Sequence, residues 1–388
     1  MASVTLALTK SRGLSLGVAL AGHNNSLGLL RFVFASLVIF SHAFPLGNFP
    51  NEPLDGFSHD QKSMGSLAVM GFFAISGYLI TKSGVSSDIL QFMWSRVLRI
   101  FPAFWVVLIF TALLVGPIVW LAGGGGLASY FNGHGNGIGS SPYSYIWGNA
   151  ALRIDHGSIY DLFSSTPYGD AINGSLWTLI LEWQCYLIVG VLIATSALRW
   201  SKIVIPVVAG AFLAGVIINR VAPGALFALL PDFLVNVHFI NLGFVFFLGS
   251  ILAVYSKHIR FDARLALASL AIVIATLYFG HFDLIGTPAF CYLVLFLGAW
   301  LPKRLHWIGQ KNDYSYGIYI YGFVIEQVLA FAHVNELGYF AYSTSSWLIS
   351  FGLAWLSWHL IEKRFMALKS WGPGRGITYW RTRRMKHT

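Results

Sequence analysis

The chain has 388 residues, of which 56% are hydrophobic and only 10% charged, with a mean hydropathy of +0.67. A soluble globular chain carries about 25% charged residues, so this composition excludes a soluble domain and points to a polytopic membrane protein. The formal net charge of +10 then marks membrane sidedness rather than nucleic-acid binding, and Cys185 and Cys291, both inside apolar runs, build neither a disulfide framework nor a metal cluster.

Residues 1–26, where Lys10 and Arg12 precede a short apolar run, read as a cytoplasmic lead-in rather than a cleaved signal. Ten apolar spans follow, at about 27–44, 65–81, 100–121, 175–197, 203–219, 233–255, 265–281, 285–301, 314–333 and 345–361. Placing the N-terminus in the cytoplasm and alternating puts all of the 25 basic residues except Lys62, Arg153 and Arg220 on the cytoplasmic side. The expectation is an all-α bundle of about ten transmembrane helices with both termini inside.

Most connections are short. The exception, an outside loop at 122–174, opens on four glycines and carries Tyr130, Asn132, His134, Asn136, Tyr143, Tyr145 and Trp147. Such side chains suit stacking against sugars as well as plain solvation. The segment 363–388 is a basic cytoplasmic tail suited to lipid headgroups. No internal repeat is visible, which counts against a transporter built from inverted repeats.

Ionisable groups inside the spans carry the chemistry, because their burial in lipid is costly. Arg31 and His42 in span one are eleven residues apart, which puts them on one helix face about 16 Å apart along the axis. In span two, Gly71 and Gly77 suit close helix packing, while Ser76 and Tyr78 are candidates for lining a site. Arg96 and Arg99, three apart at the head of span three, and Lys82 just before them suit a polyanion. Glu182, inside span four below Trp177, needs a partner, and His42 is the natural candidate. In span nine Tyr319, Glu326 and His333 repeat at seven and share a face.

These segments together resemble the acyltransferase-3 family of bacterial membrane proteins. The likeness rests on Arg31-x10-His42, GFFAISGYLIT at 71–81, FMWSRVLRIFPAFW at 92–105, NGSLWTLILEWQCYL at 173–187, DYSYGIYIYGF at 313–323, and Glu362 closing the last span. Gly322 departs from it, standing where many members carry a His. The resemblance implies a bacterial inner-membrane enzyme built on about ten spans, covering 27–362. It implies transfer of an acyl group, most often acetyl, from acyl-CoA to a hydroxyl of a surface or exported glycan or a lipid-linked oligosaccharide. Arg31 and His42 match the family's essential pair. The coenzyme is a co-substrate, with no bound cofactor and no metal. Lipids are expected as neighbours, and nucleic acid is not. On this reading Arg96, Arg99, Lys82 and Arg31 hold the donor, His42 is the general base oriented by Glu182, and Ser76 or a Tyr stabilises the oxyanion. Trp177, Tyr78, Tyr319 and Glu326 line the site. The rival class is a proton-coupled multi-pass transporter, which would use the same buried Arg, His and Glu.

Overall fold

The computed structural model describes residues 14–22, 25–133, 140–169, 171–226 and 236–385. His134 and Asn136, like Lys10 and Arg12, lie outside the described residues. Helices occupy all ten apolar intervals. They are α1 (Leu27–Gly47), α2 (Met64–Ser86), α3 (Ile89–Ala122), α4 (Trp177–Ala194), α5 (Val204–Val221), α6 (Val237–Val254), α7 (Ala263–Phe279), α8 (Phe282–Trp300), α9 (Ser315–Phe331) and α10 (Tyr339–Ser357). Among the described residues seven of these, α1 to α6 and α8, are long and apolar enough to cross a membrane. The apolar helices α7 and α9 are shorter.

Local chemistry sets the helix starts. Ser63, Asp88, Asn236 and Asp262 each accept a hydrogen bond from a first-turn amide of the helix that follows, satisfying donors that have no partner within the helix. At α3 the cap is reciprocal, since the Gln91 side chain accepts from the Asp88 amide. Between α7 and α8 the chain reverses through Gly280 and His281, both at positive φ.

The bundle is built around α9. Every residue from Ser315 to Gln327 is buried, which marks a helix enclosed by protein rather than lipid. It packs against α1 and α10, α1 packs against α2, and α2 against α6. The α2–α6 contact is unusually close. A Cβ at Gly77 would lie 1.9 Å from the Phe246 carbonyl oxygen, and one at Gly249 would lie 2.2 Å from that of Ala74. Only glycine permits such backbone approach. By contrast α5 is mostly exposed and forms an outer edge.

Residues 363–385 continue from α10 as short helices packed on the start of α3, not as a detached tail. Trp94 Nε1 donates to the Leu368 carbonyl at 2.9 Å, and the Ile377 amide donates to Asp88 Oδ2 at 2.9 Å. In the long connection before α4 the described residues likewise pack on the bundle. Tyr130 and Tyr145 are buried, and the Tyr130 hydroxyl donates to the Ala112 carbonyl at 2.8 Å. Those two rings are core, whereas Asn132, Tyr143 and Trp147 stand exposed.

Candidate active site

Arg31 and His42 mark opposite ends of α1, with α9 running parallel beside it. Arg31 Nη1 lies 3.0 Å from Asp313 Oδ2 just ahead of α9, and the His42 ring meets that of Phe323 at 5.4 Å. A row of cavities follows this line. The first, about 330 Å³, is lined by Arg31, Lys82, Gly28, His306 and Asp313. The next, about 40 Å³, is lined by Arg31, Phe72, Glu182, Tyr316 and Tyr319. The last, about 290 Å³, is lined by His42, Ser175, Trp177, Thr178, His238, Asn241 and Tyr319. Neighbouring cavities share walls, first Arg31, then Val69, Thr178 and Tyr319.

At the Arg31 end the charges are interlocked. Arg99 Nη2 lies 2.6 Å from Asp313 Oδ2, and Arg99 Nη1 lies 3.5 Å from Glu362 Oε2. Glu362 reaches inward because α10 closes on a π turn, Trp358–Glu362, a local widening that shifts the register of the side chains. Burial by itself would raise the Asp313 carboxyl, but Arg31, Arg99 and the hydrogen bonds of Ser315 outweigh it and hold Asp313 down at about 2. Asp313 was legible only as the first residue of the span-nine motif. Its position two residues ahead of Ser315 lets it accept from the Ser315 amide at 3.2 Å, at the start of α9.

Arg99 is therefore held by Asp313 and lies near Glu362, and it lines none of the three linked cavities. Arg31 is less fully engaged, since only its Nη1 meets Asp313 and its Nε is buried without a partner. Arg96 has its Nε on Ser95 Oγ at 3.1 Å and its guanidinium between the Phe92 and Tyr186 rings at 6.0 and 5.9 Å. It lines none of the three linked cavities. Lys82 Nζ donates to the Leu20 carbonyl at 3.4 Å and lies over the Tyr78 ring. Lys369, which drew no attention in the sequence, stands near Arg96 and Arg99. Burial, then those two cations, pull its ammonium down to about 8.

The expected Glu182–His42 pair does not form. Glu182 Oε1 accepts from Ser76 Oγ at 2.7 Å and from Tyr186 OH at 2.5 Å. Ser76 is thereby occupied and cannot serve as the free oxyanion donor. His42 Nδ1 is buried with no hydrogen-bond partner, which leaves Nε2 as the ring nitrogen facing the cavity. Tyr319 OH donates to the Ser175 carbonyl at 3.0 Å and meets Thr178 Oγ1 at 2.5 Å, so this hydroxyl is structural too. The Tyr78 hydroxyl is buried and unpartnered. Glu326, one turn beyond Phe323, is fully buried with both carboxyl oxygens unpartnered, and it lines none of the three cavities. Trp177 lies where expected, on the His42 cavity.

Ser175 is the group sequence reading passed over. Asn173 donates to the Ile320 carbonyl at 2.8 Å and so fastens the segment ahead of α4 to α9. Ser175 lines the His42 cavity, and its hydroxyl is buried with no hydrogen-bond partner of its own. Beyond it, Lys62 and Asp283 pair at 2.9 Å on the cavity rim.

A helical bundle with a titratable imidazole in one cavity and fixed cations in another, linked along one helix face, has the form of a membrane group-transfer enzyme. The sequence profile of the acyltransferase domain family matches residues 24–359. The chain belongs to that acyltransferase-3 family and is an acyltransferase. It is 33% identical over 354 residues to the O-acetyl transferase of Shigella phage Sf6, covering 89% of this chain and 97% of the relative. It is 27% identical over 376 residues to nodulation protein 10 of Rhizobium leguminosarum bv. viciae, covering 90% and 95%. No solved structure matches the chain.

Proposed function

We propose that the enzyme moves an acetyl group from acetyl-CoA onto a hydroxyl of a surface or exported glycan, working across a bacterial inner membrane. The observation that carries this reading is the row of cavities along α1. It offers a thin, long route from cations to an imidazole, which suits a pantetheine arm better than a bulky substrate. The Arg31 end is taken as cytoplasmic, because the connections there hold most of the Lys and Arg. The phosphates rest near Lys82 and the free Nε of Arg31, with Arg96 and Lys369 adding positive field. The acceptor enters the His42 cavity from the opposite end.

His42 Nε2 takes the proton of the acceptor hydroxyl as its oxygen attacks the thioester carbon. The Ser175 hydroxyl donates to the oxyanion that forms. The carbon–sulfur bond then breaks, the ester is left on the acceptor, and the imidazolium returns its proton to the departing thiolate. Glu182, held by Ser76 and Tyr186, does not orient the base in this scheme. It shapes the narrow middle cavity through which the arm passes.

The test uses purified protein in lipid nanodiscs, radiolabelled acetyl-CoA and the chemically de-O-acetylated glycan of the host cell. Wild type labels the glycan, and His42→Ala lowers kcat by at least about 100-fold, the usual size of a general-base contribution, with unchanged elution as a folded particle. Full activity in that variant rejects the mechanism. The rival transporter reading has no observation in its favour here, since the family is one of acyltransferases.

A further inference from the structure

A second cavity of about 410 Å³ opens at the same end as the His42 cavity, outside the row described above. The end of α3 and the glycine run form one wall, where Trp120 and Gly124 stand. The turn Asp161–Ser165 forms another, and Phe331 at the end of α9 closes it. The size falls in the usual range for a small-molecule site.

Its wall is unusual for a structural void. The Asp161 carboxylate and the hydroxyls of Ser164 and Ser165 are exposed and make no side-chain hydrogen bond among the described residues. The two aromatic rings are fixed. Trp120 Nε1 donates to Ser129 Oγ at 3.1 Å, and Phe331 packs on Phe163 with ring centroids 6.4 Å apart. The glycine run is fixed as well. The Gly125 amide donates to the Trp120 carbonyl at 3.0 Å, and a Cβ at Gly125 would fall 2.2 Å from the indole. Preorganised aromatic carbon beside a free carboxylate and two free hydroxyls is the surface that binds a pyranose, with C–H faces on the rings and hydroxyls on the polar groups.

The cavity is also tied to the His42 site. The described residues between Asp161 and Ser175 run along α9 and are fastened to it at successive turns. Gln327 Oε1 accepts from Thr166 Oγ1 at 3.0 Å, and its Nε2 donates to the Tyr168 and Ala171 carbonyls at 2.5 and 2.6 Å. The Tyr168 ring then meets Phe323 at 5.9 Å, the same Phe that touches His42. Phe323 and Phe331 are eight residues apart, or about 12 Å along the helix, which exceeds the width of one pyranose ring.

We propose that this cavity is a distal subsite of the acceptor, binding a neutral sugar residue of the same glycan whose acylated residue sits at His42. The proposal rests on the glycan reading of the function. Neutral sugars are favoured because Asp161 repels a uronate and no Lys or Arg lines the cavity.

Two measurements test it. In the first, the triple variant Asp161→Ala, Ser164→Ala, Ser165→Ala and wild type are assayed with radiolabelled acetyl-CoA. The acceptors are de-O-acetylated host polysaccharide and its single repeat unit. The expected result is a KM for the polysaccharide raised about tenfold in the variant, with kcat unchanged and the single-unit kinetics unaltered. An equal loss on both acceptors, or no loss on either, overturns the subsite. In the second, saturation-transfer NMR follows binding of the polysaccharide to the catalytically disabled His42→Ala protein, with and without the triple change. Binding that is lost with the triple change supports the subsite whether or not wild type acetylates. Binding without any transfer by wild type would sink the functional reading and leave the subsite standing. Absence of binding, or binding indifferent to the triple change, sinks the subsite. Asp161→Asn gives a second variant that keeps shape and hydrogen bonding, and it lowers polysaccharide affinity less than the triple change does.

Discussion

At the scale of single residues, the charges at the Arg31 end are a structural clamp as much as a binding site. Asp313 holds Arg31 and Arg99 together, and Glu362 completes Arg99. Removing one partner of a buried ion pair leaves uncompensated charge, which typically costs 3–5 kcal/mol. Because Glu362 still serves Arg99, Asp313→Asn is expected near the low end, about 3 kcal/mol. Thermal unfolding in detergent, followed by tryptophan fluorescence, measures it. The pH dependence has a definite sign. The Asp313 carboxyl lies at about 2 in the fold against an ordinary 3.8. A depressed carboxylate stabilises the fold above its ordinary value and loses that contribution as pH falls through the folded one. Wild type therefore keeps the clamp at pH 4 and above and converges on the variant between about pH 4 and 2. A constant difference across that window would show that the charge of Asp313 is not what stabilises.

At the scale of elements, what could be read from sequence depended on whether the signal was local. The Arg31–His42 stripe was legible because two ionisable groups in one apolar helix fix each other's face by spacing alone. The Ser76 partner of Glu182 was not, because choosing between His42 and Ser76 requires the rotation of α4 against α2, which no single span encodes, whereas Tyr186, four residues on in α4, lay within reach of spacing. The same limit hid Tyr130 and Tyr145. Their loop lacks helical periodicity, so burial under α3 could not be told from exposure. The α2–α6 contact shows how such rotation is fixed. Two glycines, Gly77 and Gly249, let the backbones touch, and Ser76 then faces α4. Gly249→Val would drive side-chain carbon into the Ala74 carbonyl, an overpacking that costs about 1–3 kcal/mol. It should also lower transfer activity by displacing Ser76 from Glu182. Gly210→Val on α5, where nothing lies within 4 Å of the new carbon, should change neither stability nor activity. Equal behaviour of the two variants would remove the close contact as the element that positions Ser76.

At the scale of the whole molecule, the mechanism depends on sidedness. On the proposed function the acyl-CoA comes from the cytoplasm and the glycan is finished outside, so that reading requires the cation cavity and the imidazole cavity to face opposite compartments. The chain allows a direct measurement. Its two cysteines, Cys185 and Cys291, are buried, so a membrane-impermeant maleimide meets little background. Trp147, 77% exposed, lies in the long connection at the His42 end, and Trp200, 87% exposed, lies between α4 and α5 at the Arg31 end. Trp147→Cys should label in intact spheroplasts, whereas Trp200→Cys should label only in inverted vesicles or after permeabilisation. The opposite pattern would put the Lys82–Arg31 cavity outside, away from any acyl-CoA pool, and the proposed direction of transfer would fail even though the cavities and the family assignment stood. Labelling of both from one side would mean that α4, with Glu182 in its first half, does not cross the membrane, and the row of cavities could then not bridge two compartments.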